Sequence, residues 1–206
     1  MKKATFLTIL LICSIQIIYA QTTLGIKSGV NITNVDYQNS SDIYKNKIRF
    51  YAGGLLQKEI NGKVFGRAEA IYSLKGNTIS IDNGNFKVKG IDEFHYLNIP
   101  LLVGFRPIEQ LSILIGPELG YLVYARENFG NNPKSITDAC NKLDVGASLG
   151  VSYKINSFLE AEARYSYGFT NIFSYTNHDS EGNVVAEVND GKNRVFQTGL
   201  VYYFRK

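Results

Sequence analysis

Apolar and polar side chains alternate along three stretches in the second half of the chain. From Leu143 to Ile155 every odd-numbered position is apolar, and every even-numbered position is polar or glycine. The same period of two runs from Leu159 to Thr170 and from Arg194 to Phe204. Successive residues of a strand point to opposite faces, so this period predicts strands with one apolar and one polar face.

Five earlier stretches show the same alternation less cleanly. They run over Thr23–Ile32, Ile48–Glu59, Val64–Lys75, Phe94–Arg106 and Leu111–Tyr124. Pro100 and Pro117 each interrupt one of them, and we expect local bulges there because proline costs a ladder hydrogen bond. No linker or change of composition divides the chain, which predicts one domain of eight strands.

The connections between these stretches alternate strictly between short and long. The short ones lie at Ile60–Lys63, which contains the Asn-Gly pair of a tight hairpin, near Pro107 and near Asn156. The long, polar ones cover about 33–47, 76–93, 125–141 and 171–193. This alternation is typical of outer-membrane barrels and predicts an all-β, eight-stranded antiparallel transmembrane up-and-down β-barrel.

The polar face is rich in small residues, such as Gly146, Ser148, Gly150 and Ser152, which suit the narrow interior of an eight-stranded barrel. The apolar face would then contact lipid. Its aromatic residues fall near strand ends and predict two interfacial girdles. Those toward the long loops are Phe50, Tyr72, Tyr121, Phe169 and Phe196, and those toward the short turns are Phe105, Tyr153, Tyr202 and Phe204. A soluble barrel with its apolar face inside remains the alternative, because periodicity alone does not separate the two.

The first twenty residues have the pattern of a secretory signal peptide. A basic start, Met1–Lys3, precedes the apolar stretch Ala4–Ile18 and a small residue, Ala20. We expect cleavage near Ala20 and a barrel domain over residues 21–206 in the cell outer membrane. Loss of Lys2 and Lys3 would lower the formal net charge from +4 to +2. A nearly neutral chain gives no reason to expect a nucleic-acid partner.

Ten charged residues are predicted to point into the barrel. They are Lys27, Arg49, Arg67, Arg106 and Arg164, with Glu69, Glu118, Asp144, Glu160 and Glu162. An unpaired charge inside a small barrel costs several kcal/mol, so the equal numbers predict a salt-bridged network that fills the lumen. A narrow ion path is the alternative.

Catalytic chemistry has little support in the sequence. Glu160 and Glu162 share one face of a strand, as an acid–base pair of carboxylates would, but Arg164 follows on that face and favours ion pairing. The only histidines are His95 and His178, and no nucleophile elbow, metal-ligand spacing or phosphate-binding glycine loop is present. We therefore expect neither an enzyme nor a cofactor.

The long loops carry aromatic residues among many Asn, Asp and Ser residues. They include Tyr37, Tyr44, Phe86, Phe129 and Tyr175. Aromatic and adaptable polar side chains together suit recognition of proteins or glycans. An ordinary solvated loop is the alternative interpretation.

Several segments, in order along the chain, resemble the PorT family of outer-membrane β-barrel proteins. They are Gly25–Asn31, Tyr96–Leu102, Gly116–Glu118, Arg164–Ile172 and Asn193–Arg194. The resemblance implies an eight-stranded barrel that contacts outer-membrane lipid and is inserted by the barrel assembly machinery. It also implies that Pro100 and Pro117 stand where the family carries prolines. One departure is Arg205-Lys206 after Phe204, where an aromatic residue usually ends the chain.

The sequence thus predicts a non-enzymatic integral outer-membrane barrel that serves as a scaffold or surface-interaction protein. The named PorT member is associated with type IX protein secretion, so the second hypothesis is an accessory of such an apparatus with secretion-system or surface protein partners. A small barrel enzyme at the outer leaflet is the third.

Overall fold

The computed structural model describes residues 22–37, 43–82, 87–129, 132–179 and 183–204. Within these ranges the chain forms twelve strands and one short 3-10 helix, Thr137–Ala139. The strands are β1 Thr22–Asp36, β2 Tyr44–Lys45, β3 Lys47–Glu59, β4 Val64–Asp82, β5 Lys87–Ile108, β6 Leu111–Phe129, β7 Asn132–Ser135, β8 Leu143–Lys154, β9 Leu159–Gly168, β10 Phe173–His178, β11 Val184–Asp190 and β12 Lys192–Tyr203. The predicted signal peptide, Phe86 and Arg205-Lys206 lie outside the described residues.

Eight long strands close into an antiparallel ring. The order around the ring is β1, β3, β4, β5, β6, β8, β9 and β12, and β12 pairs again with β1. These are the eight predicted strands, so the predicted barrel is confirmed. The remaining strands lie at the end of the barrel that carries the long connections, here called the long-loop end. There β2 pairs with β4, β7 pairs with β6, and β10 pairs with β11.

The strands are strongly staggered around the ring. A path of paired residues that starts at Thr22 on β1 returns to β1 at Ile32, ten positions further along. The path runs through Lys58, Gly66, Val103, Ile115, Leu149, Tyr165 and Phe196. Such a stagger in eight strands requires a strand tilt of about 40° and leaves an interior that side chains can fill.

Two of the short turns are built in the same way. The side-chain oxygen of Asn61 accepts hydrogen bonds from the backbone N–H groups of Lys63 and Val64, at 2.9 and 2.8 Å. The side-chain oxygen of Asn156 accepts from Phe158 and Leu159 at 2.8 and 3.0 Å. Asparagine commonly stabilises turns through such bonds to the backbone that follows it.

The long connections contain more strand than the sequence indicated. The predicted loop 76–93 is largely a ladder between β4 and β5, from the Gly76–Glu93 pair to the Asp82–Lys87 pair. Strand β6 likewise continues to Phe129. The predicted loop boundaries were wrong because strands that leave the membrane no longer need an apolar face, and the period-two signal fades there.

The bulges predicted at the prolines were also wrong. The β4–β5 ladder skips the pairs beside Pro100, and the β5–β6 ladder skips those beside Pro117, yet the register is the same on either side. Each proline therefore costs hydrogen bonds without inserting a residue. The register shifts of β5 against β6 lie elsewhere, between His95 and Tyr96 and between Phe105 and Ile108.

The apolar face of the ring points outward. Side chains such as Leu149 and Val151 on β8 are exposed, and every aromatic residue of the two predicted girdles is 37–58% exposed. The alternative of a soluble barrel with an apolar interior face is wrong for this reason. Among the described residues, no helix is long and apolar enough to cross a membrane.

The interior is less uniformly polar than the sequence indicated. At the short-turn end, Phe65, Leu102 and Leu114 form one buried apolar group, and Leu55, Val201 and Tyr203 form another. At the long-loop end a larger group, here called the mouth cluster, fills the opening. It consists of Val35, Phe94, Tyr96, Leu122, Ala125, Cys140 and Ile172, with Tyr37, Ile136 and Phe173 packed against it.

Strand β4 changes neighbours as it approaches the mouth cluster. Its ladder with β3 ends at the Tyr51–Ser73 pair. Beyond that point, the side chains of Asn31 and Thr33 on β1 donate hydrogen bonds to the carbonyls of Leu74 and Gly76, at 2.9 and 2.5 Å. Gly76 has φ +131°, a backbone conformation that residues other than glycine rarely adopt. The part of β4 that follows Ser73 therefore packs against the inner face of β1 rather than alongside β3.

Candidate functional site

Six charged side chains meet in the middle of the barrel and form what we call the central network. They are Lys27, Arg67, Glu69, Glu160, Glu162 and Arg164, and their side chains are 0–5% exposed. Lys27 Nζ lies 2.6 Å from Glu162 Oε1 and 3.2 Å from Glu69 Oε2. Arg164 Nη2 bridges the same two carboxylates, at 2.6 and 2.8 Å. Three cations face three carboxylates, so the group is neutral.

Arg67 joins the remaining carboxylate to the network. Its Nη1 donates to Glu162 Oε2 at 2.7 Å, and its Nη2 lies 3.2 Å from Glu160 Oε2. The same Nη2 donates to the Tyr203 hydroxyl at 2.6 Å and to Gln57 Oε1 at 2.8 Å. Hydrogen bonds to neutral partners thus supplement the ion pairs, as buried charges require.

The period of two brings these side chains together. Arg67 and Glu69 lie two apart on β4, and Glu160, Glu162 and Arg164 lie two apart on β9, so each set points inward. Gly150 on β8 pairs with Arg164. A Cβ atom at position 150 would lie 3.1 Å from the Cβ of Arg164, so glycine leaves space beside the arginine.

A second group, the upper network, lies between the central network and the mouth cluster. Lys75 Nζ is 3.1 Å from Asp144 Oδ2 and 3.9 Å from Glu118 Oε1. Ser148 and Ser166 donate to Glu118 at 2.5 and 2.8 Å. Further amide donors are Asn98 to Glu118 and Asn193 to Asp144.

Lys75 was missed as an inward charge in the sequence analysis. It lies in phase with Arg67 and Glu69 at the period of two, so the same parity that identified those residues would have found it. The polar partners Asn98, Ser148 and Ser166 were also not predicted as partners of Glu118.

Two of the ten predicted lumen charges lie apart from both networks. Arg49 pairs with Glu93 at 3.0 Å, a carboxylate that Arg126 and His95 also contact, at 2.8 and 3.0 Å. Arg49 lies on the part of β3 that β4 has left, so its nearest carboxylate belongs to β5. Arg106 lies at the short-turn end, where both of its terminal nitrogens contact Glu59, at 2.5 and 2.8 Å.

Open spaces lie at both ends of the barrel. A vestibule of about 490 Å³ at the short-turn end is lined by residues that include Glu59, Arg106 and Glu160. A cleft of about 360 Å³ lies at the long-loop end. Between them, the cavity beside Lys75 measures about 10 Å³, roughly the space that one water molecule needs.

The residues weighed for catalysis have structural contacts. Glu162 is contacted by three cations and buried. The two ring nitrogens of His95 contact the Tyr72 hydroxyl and Glu93. Burial raises the pKa of the Cys140 thiol to about 12, so thiolate chemistry is disfavoured there. The side chain of His178 lies outside the described set. Among the described residues, no group of His, Cys, Asp and Glu is arranged to hold a metal ion.

A closed ring of eight tilted strands, apolar outside and charged within, defines a small transmembrane β-barrel. The chain belongs to the outer membrane protein beta-barrel domain family, whose model matches residues 19–174. The narrower resemblance to PorT proteins stays a sequence prediction.

Solved outer-membrane barrels have the same fold. The attachment invasion locus protein Ail of Yersinia pestis is 15% identical, with a TM-score of 0.51 over 89% of this chain and 99% of its own. Neisserial surface protein A is 13% identical, with a TM-score of 0.56 over 88% of this chain and 97% of its own. Identities this low establish a shared fold alone. A comparison with curated proteins finds no significant match.

Proposed function

We propose that the protein is a non-enzymatic outer-membrane barrel with a lumen plugged by ion pairs, acting as a scaffold or surface-interaction protein. The observation that carries the plug is the central network, in which six buried charges neutralise one another across β1, β4 and β9. The apolar groups above and below it add two further barriers to ions.

The small cavity beside Lys75 supports the same proposal. An ion path needs a continuous row of waters, whereas about 10 Å³ holds roughly one water molecule. Loss of one network member would leave partners as uncompensated buried charges, which is costly. The network therefore serves to close and stiffen the wall.

Conductance in planar bilayers tests the plug. The purified protein should give no steady single-channel steps in 1 M KCl. The double variant Arg164→Ala/Glu69→Ala empties the centre of the network and should conduct, or flicker, more than the wild type. Lys154→Ala, which removes a cation from an exposed pair with Glu109, is the control and should stay closed. Steady conductance by the wild type would favour the ion path and contradict the proposal of a plugged lumen.

A second proposal is that the protein is an accessory of a type IX-like secretion apparatus, with a secretion-system or surface protein as partner. It is supported by the sequence resemblance to PorT proteins alone. Deletion of the gene, followed by an assay of secreted cargo, separates it from a scaffold role. Normal secretion by the deletion strain would remove this proposal and leave the first untouched.

The route to the membrane remains a proposal as well. We infer cleavage near Ala20 and insertion by the barrel assembly machinery. N-terminal sequencing of the membrane-extracted protein should give a chain that starts at Gln21. Depletion of the assembly machinery should reduce the form whose gel mobility changes on boiling, and an unchanged yield of that form would contradict the inference.

A further inference from the structure

The cleft at the long-loop end has a lining that the proposed function does not use. It lies beside the mouth cluster, and its lining contains both aromatic rings and carboxylates. The aromatic side chains are Tyr37, Tyr44, Phe173 and Tyr175, and the acidic ones are Asp92, Glu127 and Asp190. Five strands, β2, β5, β6, β10 and β11, supply six of these residues, and Tyr37 directly follows β1.

Three of the rings form a stack. The centroids of Tyr37 and Tyr44 are 4.0 Å apart with an interplanar angle of 24°, and those of Tyr37 and Phe173 are 6.2 Å apart at 23°. Phe173 in turn contacts Phe94 of the mouth cluster edge to face. The stack is therefore anchored in the packed interior and presents a preformed aromatic wall. Such walls attract cations through the negative face of each ring.

Asp92 is the buried charge of the cleft. It is 3% exposed and points inward from β5, and Glu127 occupies the paired position on β6. Among the described residues, no cationic side chain forms an ion pair with Asp92. Burial raises the pKa of Asp92 to about 7, and the neighbouring Glu127 carboxylate adds to the rise. A carboxylate without a cation is costly to bury, so this position favours a positive ligand.

The other ligand classes fit less well. Anions would be repelled by the three carboxylates. A neutral apolar ligand would gain nothing from them, and the donor set for a bound metal ion is absent among the described residues. A compact cation with an apolar surface satisfies both halves of the lining.

We propose that this cleft binds a small organic cation of the alkylammonium class, with its alkyl groups against the tyrosine stack and its charge beside Asp92 and Glu127. The site depends on the mouth of the barrel and not on the closure of the lumen. Its failure would therefore leave the plug proposal intact, and the reverse also holds.

The test is a chemical-shift titration of the full protein in detergent micelles at pH 8, with tetramethylammonium as the probe. We expect saturable shifts at the amides of residues 44 and 92, with a dissociation constant in roughly the millimolar range. The neutral solute tert-butanol, of similar size, should shift these amides much less.

Three variants sharpen the result. Asp92→Asn should weaken binding by roughly tenfold, because it removes the buried charge without changing the shape of the side chain. Tyr44→Leu should weaken binding by roughly threefold, because it keeps apolar bulk and removes the aromatic face. Asp138→Asn is the matched control, since Asp138 lies exposed at the same end and does not line the cleft, and it should bind like the wild type.

Each outcome decides the proposal. Equal binding of tert-butanol and tetramethylammonium, or binding that Asp92→Asn leaves unchanged, would overturn it. Gel mobility with and without boiling verifies that each variant is folded. Should Asp92→Asn fail to fold, Glu127→Gln tests the same charge from β6, and unchanged binding by that variant would equally overturn the proposal.

Discussion

The central network and the mouth cluster fill the same barrel by opposite means. In the central network, charged side chains that are 0–5% exposed contact one another at 2.6–3.2 Å in a neutral group. In the mouth cluster, the contacts are between apolar side chains such as Phe94 and Leu122, and the nearby charge of Asp92 has no cation beside it among the described residues.

The difference follows from what surrounds each region. At the level of the network, the ring of strands fixes every inward position, so ion pairs with demanding geometry form without further support. At the mouth, the strands extend beyond the ring and loop segments must pack between them. Apolar packing tolerates such irregular neighbours, because it is not directional. Substitutions in the central network should therefore cause large losses in the free energy of unfolding, and substitutions in the mouth cluster should cause smaller ones.

The largest expected effect is the loss of a network cation. Arg164→Met removes contacts to Glu69 and Glu162 and leaves a surplus of buried negative charge. We expect the free energy of unfolding to fall by about 3–5 kcal/mol. Urea unfolding in detergent micelles, followed by gel mobility without boiling, measures it.

The control and the rescue make this result specific. Lys154→Met breaks the exposed pair with Glu109 and should cost less than about 1 kcal/mol. Arg164→Met combined with Glu69→Gln restores neutrality, and we expect it to recover at least half of the loss. A double variant that is as unstable as the sum of the single variants would show that charge balance does not hold the network together.

Phe94→Ala should weaken the mouth by a smaller amount. Phe94 is fully buried, and removal of such a ring from a core costs about 3–5 kcal/mol, with the smaller values where neighbours relax into the space. We expect a loss of about 3 kcal/mol and, in planar bilayers, a barrel that still does not conduct, because the networks below are intact. Phe129→Ala, at a partly exposed ring on the same end, is the control. Conductance by Phe94→Ala would show that the mouth, and not the network, closes the lumen.

The buried Asp92 carboxylate at the mouth predicts a pH dependence of stability. Because burial raises the pKa of Asp92 to about 7, the folded protein binds a proton there more tightly than the unfolded chain does. The free energy of unfolding should therefore fall as the pH rises from about 4 to 7 and level off above pH 7. The difference between wild type and Asp92→Asn isolates this effect from Glu127, Asp190 and the tyrosines nearby. If the stability of the wild type relative to Asp92→Asn increased with pH, the predicted direction of the pH dependence would be wrong.

The smallest effect is expected within the upper network. Ser148→Ala removes one hydroxyl donor from Glu118, while Ser166 continues to donate. We expect a loss of about 1 kcal/mol, measured by the same urea titration. Ser157→Ala, in an exposed turn, is the control. A loss as large as that of Arg164→Met would mean that the hydrogen bonds, and not the ion pairs, dominate this region.

Much of the fold could be predicted because the membrane imposes a simple pattern. Each strand needs an apolar outer face over its membrane-spanning part, and the resulting period of two revealed all eight ring strands. Outside the membrane both faces of a strand can be polar, so the extensions of β4, β5 and β6 left no such signal. The departure of β4 from β3 beyond Ser73 depends on contacts with Asn31 and Thr33, which no local pattern encodes.

The candidate sites differ in the same way. Parity along β4 and β9 pointed to residues such as Arg67 and Glu162, because side-chain direction inside a regular ring follows sequence position. It did not indicate which charges meet, so Arg49 and Arg106 were grouped with residues they do not touch. The cleft at the mouth could not be predicted from the sequence, because Tyr37, Asp92 and Phe173 converge only through the packing of separate elements.

The pairing of β12 with β1 has a consequence for the biosynthesis of the barrel. Gly25 lies opposite Tyr203, so the seam joins residues from nearly opposite ends of the described chain. Until that seam forms, two strand edges remain without hydrogen-bond partners, and a lipid bilayer offers none. Closure therefore requires both β1 and β12, and until they pair the unclosed chain exposes two strand edges that favour aggregation.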